Sequence, residues 1–255
     1  MLKISAIIIT RNEEKFIGRC LESLRGIADE VVVVDSFSTD STGNICHEHG
    51  CRVETHAFEG YIEQKNYALS LATNKWVISL DADEALSDEL KGSIKTVMKN
   101  PRHDGYYFNR RNNYCGRWLK FSGWYPDRHL RLFDSSKGQW TGLNPHDKFR
   151  LQAGCKAGLL KGDLLHWFYE SVEEQKEKME KFSTIAAESC YNAGIRSGVL
   201  TPLIHGTWSF ARSYILRGGF LDGRYGFNIC ITGARGSCLK YKKLMALQKS
   251  KELKP

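Results

Sequence analysis

The sequence predicts an α/β fold with a mostly parallel sheet in its first half, and three observations support this class. Four short apolar runs rich in β-branched residues alternate with segments of helical periodicity, roughly one strand every 20 to 25 residues. Each run is nearly free of charge, as expected of strands buried on both faces of a parallel sheet. Polar or acidic residues follow the runs directly. The alternation therefore indicates a parallel sheet with right-handed crossovers and ligand-binding strand ends.

The first four strands and their helices are predicted from apolar cores and capping residues. The predicted strands are residues 3–10, 30–34, 52–56 and 76–80. Asn12 is placed to cap the first helix, with Glu13 and Glu14 in its first turn. The next helices are predicted over residues 41–49 and 61–71. Asp88 is expected to cap a further helix that runs to residue 100.

Beyond residue 100 the alternation ends and strands of another kind begin. Aromatic and charged residues alternate over residues 105–112, 128–133, 146–151 and 161–167. A long helix is predicted over residues 170–192. The remainder combines aromatic residues with arginines and lysines. We therefore predict a catalytic domain at residues 1–195 and a basic, aromatic-rich extension at residues 196–255.

The charge of the chain is unevenly distributed. The formal net charge is +8, and residues 196–255 hold eleven Lys or Arg against two acids, so the extension carries the whole positive excess. This distribution predicts an anionic surface as a partner. No apolar run reaches the roughly 18 residues of a membrane span, and the N-terminal run is too short for a signal peptide, so a cytoplasmic location is expected. The eight cysteines lack a Cys-x-x-Cys pair, which indicates reduced thiols.

The main chemical motif is Ser-Leu-Asp-Ala-Asp-Glu at residues 79–84, at the end of the fourth strand. The two-residue period of an extended chain is expected to point Asp81 and Asp83 the same way. Two adjacent carboxylates repel each other unless a cation lies between them. Mg²⁺ and Mn²⁺ typically bind a couple of protein carboxylates and complete their coordination with water and phosphate oxygens. The motif thus predicts a metal–diphosphate site, although a solvated turn or a helix cap fits the same residues.

Two common phosphate-binding motifs are missing from the sequence. No Gly-x-Gly-x-x-Gly follows the first strand, and no Gly-x-x-x-x-Gly-Lys-Ser/Thr occurs anywhere. A dinucleotide oxidoreductase and a P-loop NTPase are therefore disfavoured.

Several longer blocks carry a resemblance to a known family. In the first half they are Ile-Ile-Ile-Thr-Arg-Asn-Glu-Glu (7–14), Val-Val-Val-Asp-Ser-Phe-Ser-Thr-Asp-Ser-Thr (32–42), Gln-Lys-Asn-Tyr-Ala-Leu (64–69) and the acidic motif (79–84). Later blocks are Gly-Trp-Tyr-Pro-Asp (123–127), Arg-Leu-Phe (131–133), Leu-Leu-His (164–166) and Leu-Arg-Gly-Gly-Phe-Leu-Asp-Gly (216–223). With these blocks the chain resembles glycosyltransferase family 2, the inverting GT-A group, over nearly its whole length. Within that group it is similar to bacterial lipopolysaccharide-core β-1,4-glucosyltransferases.

The resemblance implies roles for individual residues at the donor site. The nucleotide-sugar-binding residues would be Thr10, Arg11 and Asn12 at the base, Asp35 at the base or ribose, Lys65 at the diphosphate, and Asp81 at the ribose or a metal-bound water. Asp83 would bind the metal, Mg²⁺ or Mn²⁺, and His166 would complete the metal site.

The resemblance also implies the acceptor side of the reaction. Asp147 would be the catalytic base, with Asp127 as the reserve candidate. Relatives tend to have His-Glu where this chain has His146-Asp147, so this carboxylate is one methylene shorter. Trp124 and Arg131 would shape the acceptor pocket.

The implied reaction is a single displacement that moves a hexose, with glucose favoured, from a UDP-linked donor to a lipid-linked saccharide. Such an acceptor lies at the inner face of the cytoplasmic membrane, where the basic extension would dock on the anionic lipid surface.

Other functions remain open at this point. A transferase that uses a polyprenyl phosphate acceptor, or one that builds capsule or exopolysaccharide, would carry the same early blocks. An alternative function outside the enzymes is that of a basic nucleic-acid-binding protein. The acids at residues 81–84 would repel a phosphate backbone, so no nucleic acid partner is expected. An Asp-x-Asp phosphatase would need its nucleophile after the first strand, whereas this pair follows the fourth.

Overall fold

The computed structural model describes residues 2–143 and 146–252. The chain divides into two compact units. The first comprises Met1–Arg111 and Asp127–Trp167, and the second comprises Asn112–Pro126 and Phe168–Pro255. The predicted domain boundary after residue 195 falls inside the second unit and stays a prediction.

The parallel half of the sheet is confirmed. Its strands are β1 (Ile4–Thr10), β2 (Glu30–Asp35), β3 (Arg52–Thr55) and β4 (Trp76–Asp81), in the spatial order β3-β2-β1-β4. All three strand pairs are parallel. Consecutive residues of β1 are buried, as the uncharged run predicts.

Helices cover both faces of this half-sheet. They are α1 (Ile17–Leu24), α2 (Thr42–Glu48), α3 (Tyr61–Leu71) and α4 (Asp88–Val97). Alternate residues of β1 point to opposite faces. Ile8 lies in one apolar cluster with Leu21 of α1 and Ile94 of α4, whereas Ile7 lies in another with Ala68 of α3. The alternation of strand and helix thus builds two apolar layers around one sheet.

Two predicted helix caps are wrong. Asn12 has a φ of 56°, and α1 begins only at Ile17 with Phe16 before it, because Asn12 is held in a loop by hydrogen bonds to residues 38 and 39. In α4 the cap is Ser87, whose extended backbone lets its Oγ accept from the N–H of Leu90. Asp88 is therefore the first helical residue, where its charge favours the helix dipole.

The later strands are antiparallel to their neighbours where a register is defined. They are β5 (Glu84–Leu86), β6 (Gly105–Tyr114), β7 (Arg117–Trp118), β8 (Asp127–Asp134), β9 (Gly138–Leu143), β10 (His146–Leu151) and β11 (Ala157–Tyr169). The sheet continues from β4 in the order β8-β6-β11-β5, while β9 and β10 form a separate antiparallel pair. The four strands predicted here are confirmed, and β6, β8 and β11 extend further than the sequence indicated.

The second unit is mainly helical. It contains α5 (Val172–Asn192), α6 (Thr201–Phe210), a π-helical turn (Ala211–Leu216), a 3-10 turn (Gly219–Asp222) and α7 (Gly223–Glu252). Both α5 and α6 pack on α7. Tyr114, Leu119, Ile229 and Cys230 form its buried cluster. Across the residues that the structure describes, we find no helix with the length and apolar character of a membrane span.

We predict that Gly162→Ala destabilises the protein by about 3 kcal/mol or more, because a left-handed backbone and overpacking both oppose the methyl group. Gly162 has a φ of +92°, and an added Cβ would lie 2.3 Å from the backbone nitrogen of Leu90. Gly154→Ala is the control, since Gly154 has a φ of +86° but no atom within 4 Å of an added Cβ. Urea unfolding at pH 7 measures both. Equal losses of stability in the two variants would contradict the steric explanation.

Candidate active site

The register of the parallel strands places their polar ends together. Thr10 lies opposite Asp35 in the β1–β2 pair, and Ile9 lies opposite Asp81 in the β1–β4 pair. Three neighbouring strands thus end at one edge of the sheet, which is where ligands bind in open α/β sheets.

Two loops at this edge are linked by hydrogen bonds. The Asn12 N–H donates to Ser38 Oγ at 2.8 Å, and the Thr39 N–H donates to Asn12 Oδ1 at 2.8 Å. Asp35 is buried and accepts from the Ser38 N–H at 2.9 Å. The structure therefore brings together the predicted nucleotide residues at 10, 12 and 35. Arg11 is exposed in the same loop.

Asp81 sits between two cations. Its carboxylate lies 3.0 Å from Lys65 Nζ of α3 and 2.7 Å from Arg131 Nη2 of β8. The Asp81 side chain keeps 30% of its surface exposed, whereas those of Lys65 and Arg131 keep 5% and 3%. Burial alone would raise the pKa of Asp81, but the charges of Arg131 and Lys65 outweigh it and hold this pKa well below its usual value.

The same lysine also binds the predicted catalytic base. Lys65 Nζ lies 2.8 Å from Asp147 Oδ2 of β10, so one ammonium joins two carboxylates. The ammonium also lies 4.6 Å from the centroid of the Trp140 ring, a cation–π distance. Lys65 is thus held by an aromatic face and two acids at once.

On the other side of Asp81 the network continues into the core. Arg131 Nη2 also lies 2.7 Å from Glu84 Oε1, and the side chain of Glu84 is fully buried. Glu84 Oε2 accepts from the Asp81 N–H at 3.0 Å. Arg110 Nη1 of β6 lies 3.4 Å from the same Glu84 carboxylate. Buried carboxylates persist when they are paired and hydrogen-bonded, and Glu84 meets both conditions.

The network ends at Asp127, the reserve candidate for the base. Arg110 Nη2 lies 2.8 Å from Asp127 Oδ2, and His129 Nε2 lies 3.0 Å from Asp127 Oδ1. Burial opposes ionisation, but the hydrogen bond from His129 and the charge of Arg110 lower the pKa of Asp127 strongly. The pKa of His129 is lowered in turn, mainly by burial.

Asp83 has a different partner from Asp81. Strand β4 ends at Asp81, and residues 82 and 83 form a turn, so the two-residue period no longer applies. The expectation that both carboxylates point the same way is therefore not met by their contacts. Asp83 Oδ2 lies 3.2 Å from His166 Nε2 of β11, and the Trp167 N–H donates to the Asp83 carbonyl at 3.1 Å.

The Asp83–His166 pair fits one divalent cation. Both atoms can reach an ion at about 2.1 Å from each, and a carboxylate oxygen with an imidazole nitrogen is a suitable ligand set. In the described part of the chain, no group of three or more His, Cys, Asp or Glu is arranged to hold a metal. A cation here would take two protein ligands and complete its coordination with water and substrate oxygens.

Comparison with known proteins agrees with this geometry. The family described as "Glycosyl transferase family 2" matches residues 5–200. The chain belongs to this family. An uncharacterized glycosyltransferase of Rickettsia typhi is 30% identical over 97% of this chain and 88% of the relative. The lipopolysaccharide core biosynthesis glycosyltransferase LpsC of Rhizobium meliloti is 30% identical over 91% of this chain and 88% of the relative.

The fold of this glycosyltransferase is GT-A. The crystal structure of S. aureus TarS 1–349 in complex with UDP aligns with a TM-score of 0.50 at 17% identity, covering 100% of this chain and 93% of that one. The expected family and fold class are therefore confirmed, and the protein is a glycosyltransferase.

The predicted site residues lie in several places. Residues 10–12, 35, 65, 81, 83, 127, 131, 147 and 166 all lie in the first unit. Lys65, predicted at the diphosphate, is paired with two acids. Arg131, predicted at the acceptor, lies in the buried network. Trp124 lies in the second unit, where its ring centroid is 5.2 Å from that of Phe168. The roles of these residues stay predictions.

Sequence reasoning missed part of the glycosyltransferase site. Gln64 is fully buried, and its Nε2 donates at 2.9 Å to Oγ of Ser36, the residue directly after Asp35. Arg110 had no local signal, because its partners Asp127 and Glu84 lie 17 and 26 residues away. His129 lies two residues from its partner Asp127, but it falls between the family blocks at 123–127 and 131–133. Glu84 had a signal, since it is the third acid of the motif at residues 79–84.

We predict that Arg131→Met destabilises the glycosyltransferase by about 3 to 5 kcal/mol, because it breaks buried pairs with Asp81 and Glu84. The loss should depend on pH. The lowered pKa of Asp81 stabilises the folded state above the unfolded value of about 3.9, and this stability is lost as the pH falls through the folded pKa. The difference in the free energy of unfolding between wild type and variant should thus be greatest near pH 7, and it should become smaller below about pH 4.

Urea unfolding at several pH values measures this effect. Arg128→Met is the control, because Arg128 lies on the same strand and is exposed. A pH-independent loss, or an equal loss in the control, would show that the network does not stabilise the fold through Asp81.

Proposed function

We propose that this glycosyltransferase moves a hexose, with glucose favoured, from a UDP-linked donor to a lipopolysaccharide-core or related lipid-linked saccharide, with inversion at the anomeric carbon. The observation that carries the proposal is the strand-end site. There Asp81 is neutralised by Lys65 and Arg131, while Asp83 pairs with His166. Two neighbouring acids with different partners can perform different tasks.

The donor would lie along the ends of β1, β2 and β4. Thr10, Arg11 and Asn12 would line the base pocket, and Asp35 would contact the base or ribose. The hydrogen bonds between the two loops support this, because they order the pocket before the donor arrives. Asp81 would contact the ribose or a metal-bound water.

Asp83 and His166 would hold a divalent cation, Mg²⁺ or Mn²⁺, at the diphosphate. When bound, such an ion neutralises negative charge on the departing diphosphate oxygens. The 3.2 Å separation of the two side chains supports shared ligation. Lys65 would add a positive charge at the diphosphate when it exchanges one of its carboxylate partners for a phosphate oxygen.

Asp147 is the better candidate for the base that takes the proton from the acceptor hydroxyl. Its rival, Asp127, is bound by Arg110 and His129, and its pKa is strongly lowered, which makes it a weak base. Among the described residues, Asp147 pairs with the cation Lys65, which it shares with Asp81. Release of Lys65 toward the donor would leave the Asp147 carboxylate able to accept a proton.

The acceptor would be a lipid-linked saccharide at the inner, cytoplasmic face of the membrane. The similarity to LpsC, a lipopolysaccharide core biosynthesis glycosyltransferase, supports a core-type acceptor. Trp124 would offer an aromatic face to a sugar. Arg131 would act through the network, since only 3% of its side chain is exposed. The basic extension at residues 196–255 supports an anionic membrane as the docking surface.

We predict that UDP-glucose raises the melting temperature only when Mn²⁺ or Mg²⁺ is present, and that Asp83→Asn abolishes this increase. At about 100 times Kd the donor should add about 2.7 kcal/mol of stability. Differential scanning fluorimetry measures the change. Asp88→Asn is the matched control, because Asp88 is an exposed acid with 98% of its side chain accessible. Metal-independent stabilisation, or its retention in Asp83→Asn, would refute the proposed metal site.

We predict that Asp147→Asn lowers kcat by about 10² to 10⁴ while the donor-induced thermal shift is kept, because a general base acts on the acceptor proton and not on donor binding. Asp127→Asn is the comparison variant. Release of UDP in the presence of acceptor measures kcat. Loss of turnover in Asp127→Asn with full activity in Asp147→Asn would reverse the assignment of the base.

A further inference from the structure

An exposed apolar surface lies in the second unit. We define the apolar face as the exposed apolar side chains of residues 199–227, which are Val199, Leu200, Leu203, Ile204, Trp208, Ile215, Leu216, Phe220, Leu221 and Phe227. Val199 is 83% exposed, Leu216 is 69% exposed and Trp208 is 57% exposed. Monomeric proteins rarely expose contiguous apolar patches beyond a few hundred Å², so a surface of this kind indicates a binding partner.

Helix α6 shows that this exposure is organised. Leu200, Leu203, Ile204 and Trp208 follow the i, i+3, i+4, i+8 spacing of one helical face. The opposite face is packed on α7, because a Cβ added at Gly206 would lie 3.2 Å from Cys238 Cβ and 3.3 Å from the Ala234 carbonyl oxygen. One face of α6 is therefore packed on α7, and a second face, which is apolar, is exposed.

An aromatic ladder connects α6 to the rest of the apolar face. Phe210 stacks on Tyr214 of the π-helical turn with ring centroids 5.0 Å apart. Tyr214 contacts Phe220 of the 3-10 turn edge-on at 6.3 Å and Phe227 of α7 at 5.7 Å. Phe220 and Phe227 of the apolar face are thus joined to the end of α6 through Tyr214.

The exposed charges within residues 196–227, the segment that carries the apolar face, have one sign. Arg196, Arg212, Arg217 and Arg224 are exposed in this part of the chain. The one acid between residues 195 and 227 is Asp222, which is buried and accepts from the Phe121 N–H at 2.9 Å. The partner of this surface must therefore accept apolar side chains and supply negative charge.

We propose that the apolar face docks on an anionic lipid bilayer, with its apolar side chains at the boundary of headgroups and acyl chains and its arginines on lipid phosphates. An interfacial helix has this arrangement of apolar and basic faces. A second copy of the chain is a poorer occupant, because two segments that each expose four arginines and no acid repel each other. The proposal deepens the proposed function, on which it rests for its purpose, since a lipid-linked acceptor is presented at such a surface.

The docking element is more specific than the basic extension predicted from sequence. Lys243 of α7 donates to the Glu180 carbonyl at 2.9 Å, to Ser183 Oγ at 2.9 Å and to Thr184 Oγ1 at 2.8 Å on α5. This lysine is therefore used for packing inside the unit. The apolar face and its arginines, rather than all basic residues of the extension, would contact lipid.

The test is co-sedimentation of the full chain with lipid vesicles. We expect binding to equimolar phosphatidylglycerol and phosphatidylcholine and much weaker binding to phosphatidylcholine alone. Leu203→Ser with Ile204→Ser should weaken binding at least tenfold, and Arg212→Gln should weaken it about fivefold. Phe182→Ser with Ile185→Ser is the matched control, because these two exposed apolar residues lie on α5, outside the apolar face, and their loss should leave binding unchanged.

Three results would overturn the proposal. They are no binding of the wild type to anionic vesicles, equal binding of the Leu203/Ile204 variant, and a lipid-free dimer that the same variant dissociates in sedimentation velocity. The thermal shift with UDP-glucose and metal, measured on the same samples without lipid, reports folding and the donor site independently. A variant that keeps this shift and loses vesicle binding separates docking from the proposed function.

Discussion

The strand-end site of this glycosyltransferase depends on the placement of Asp81 between Lys65 and Arg131. Carboxylates crowded at one strand end repel each other, and desolvation adds to this cost. In this chain the acids alternate with cations, from Asp147 through Lys65, Asp81, Arg131, Glu84 and Arg110 to Asp127. The alternation allows four acids to share one region, and it leaves Asp83 outside the network.

The network also joins parts of the fold that hydrogen-bonded ladders do not connect directly. Lys65 comes from α3 and Asp147 from the separate β9–β10 pair, so their ion pair links a helix on the parallel half to a strand outside the main sheet. Arg131 links β8 to Glu84 of β5, a strand that is not its neighbour in the sheet. Buried ion pairs are sensitive to geometry, because a lost partner leaves an uncompensated charge. The strand-end site is thus positioned by electrostatics as well as by the sheet.

Local patterns in the sequence predicted much of the fold. The bounds of α3 and β10 were predicted to the residue, and β1, β2 and β4 to within one, because hydrophobic period and turn residues are local signals. The errors lie where local rules compete. Asn12 and Asp88 are both residue types that favour a helix N-cap. Asn12 instead accepts a hydrogen bond from the Thr39 N–H in a loop, and Ser87, with its extended backbone, is the N-cap of α4.

The site was predictable only in part for the same reason. The motif at residues 79–84 predicted the position of the site, and the resemblance to the family predicted most of the site residues. Nothing local relates Arg110 to Glu84 or Lys65 to Asp147, since 26 and 82 residues separate these partners. The single charge of Lys65 has a consequence for the order of events. Under the proposed function, a donor diphosphate that draws on this charge weakens the hold of Lys65 on Asp147. Donor binding and the ability of Asp147 to accept a proton are then thermodynamically linked, which favours a donor-first order.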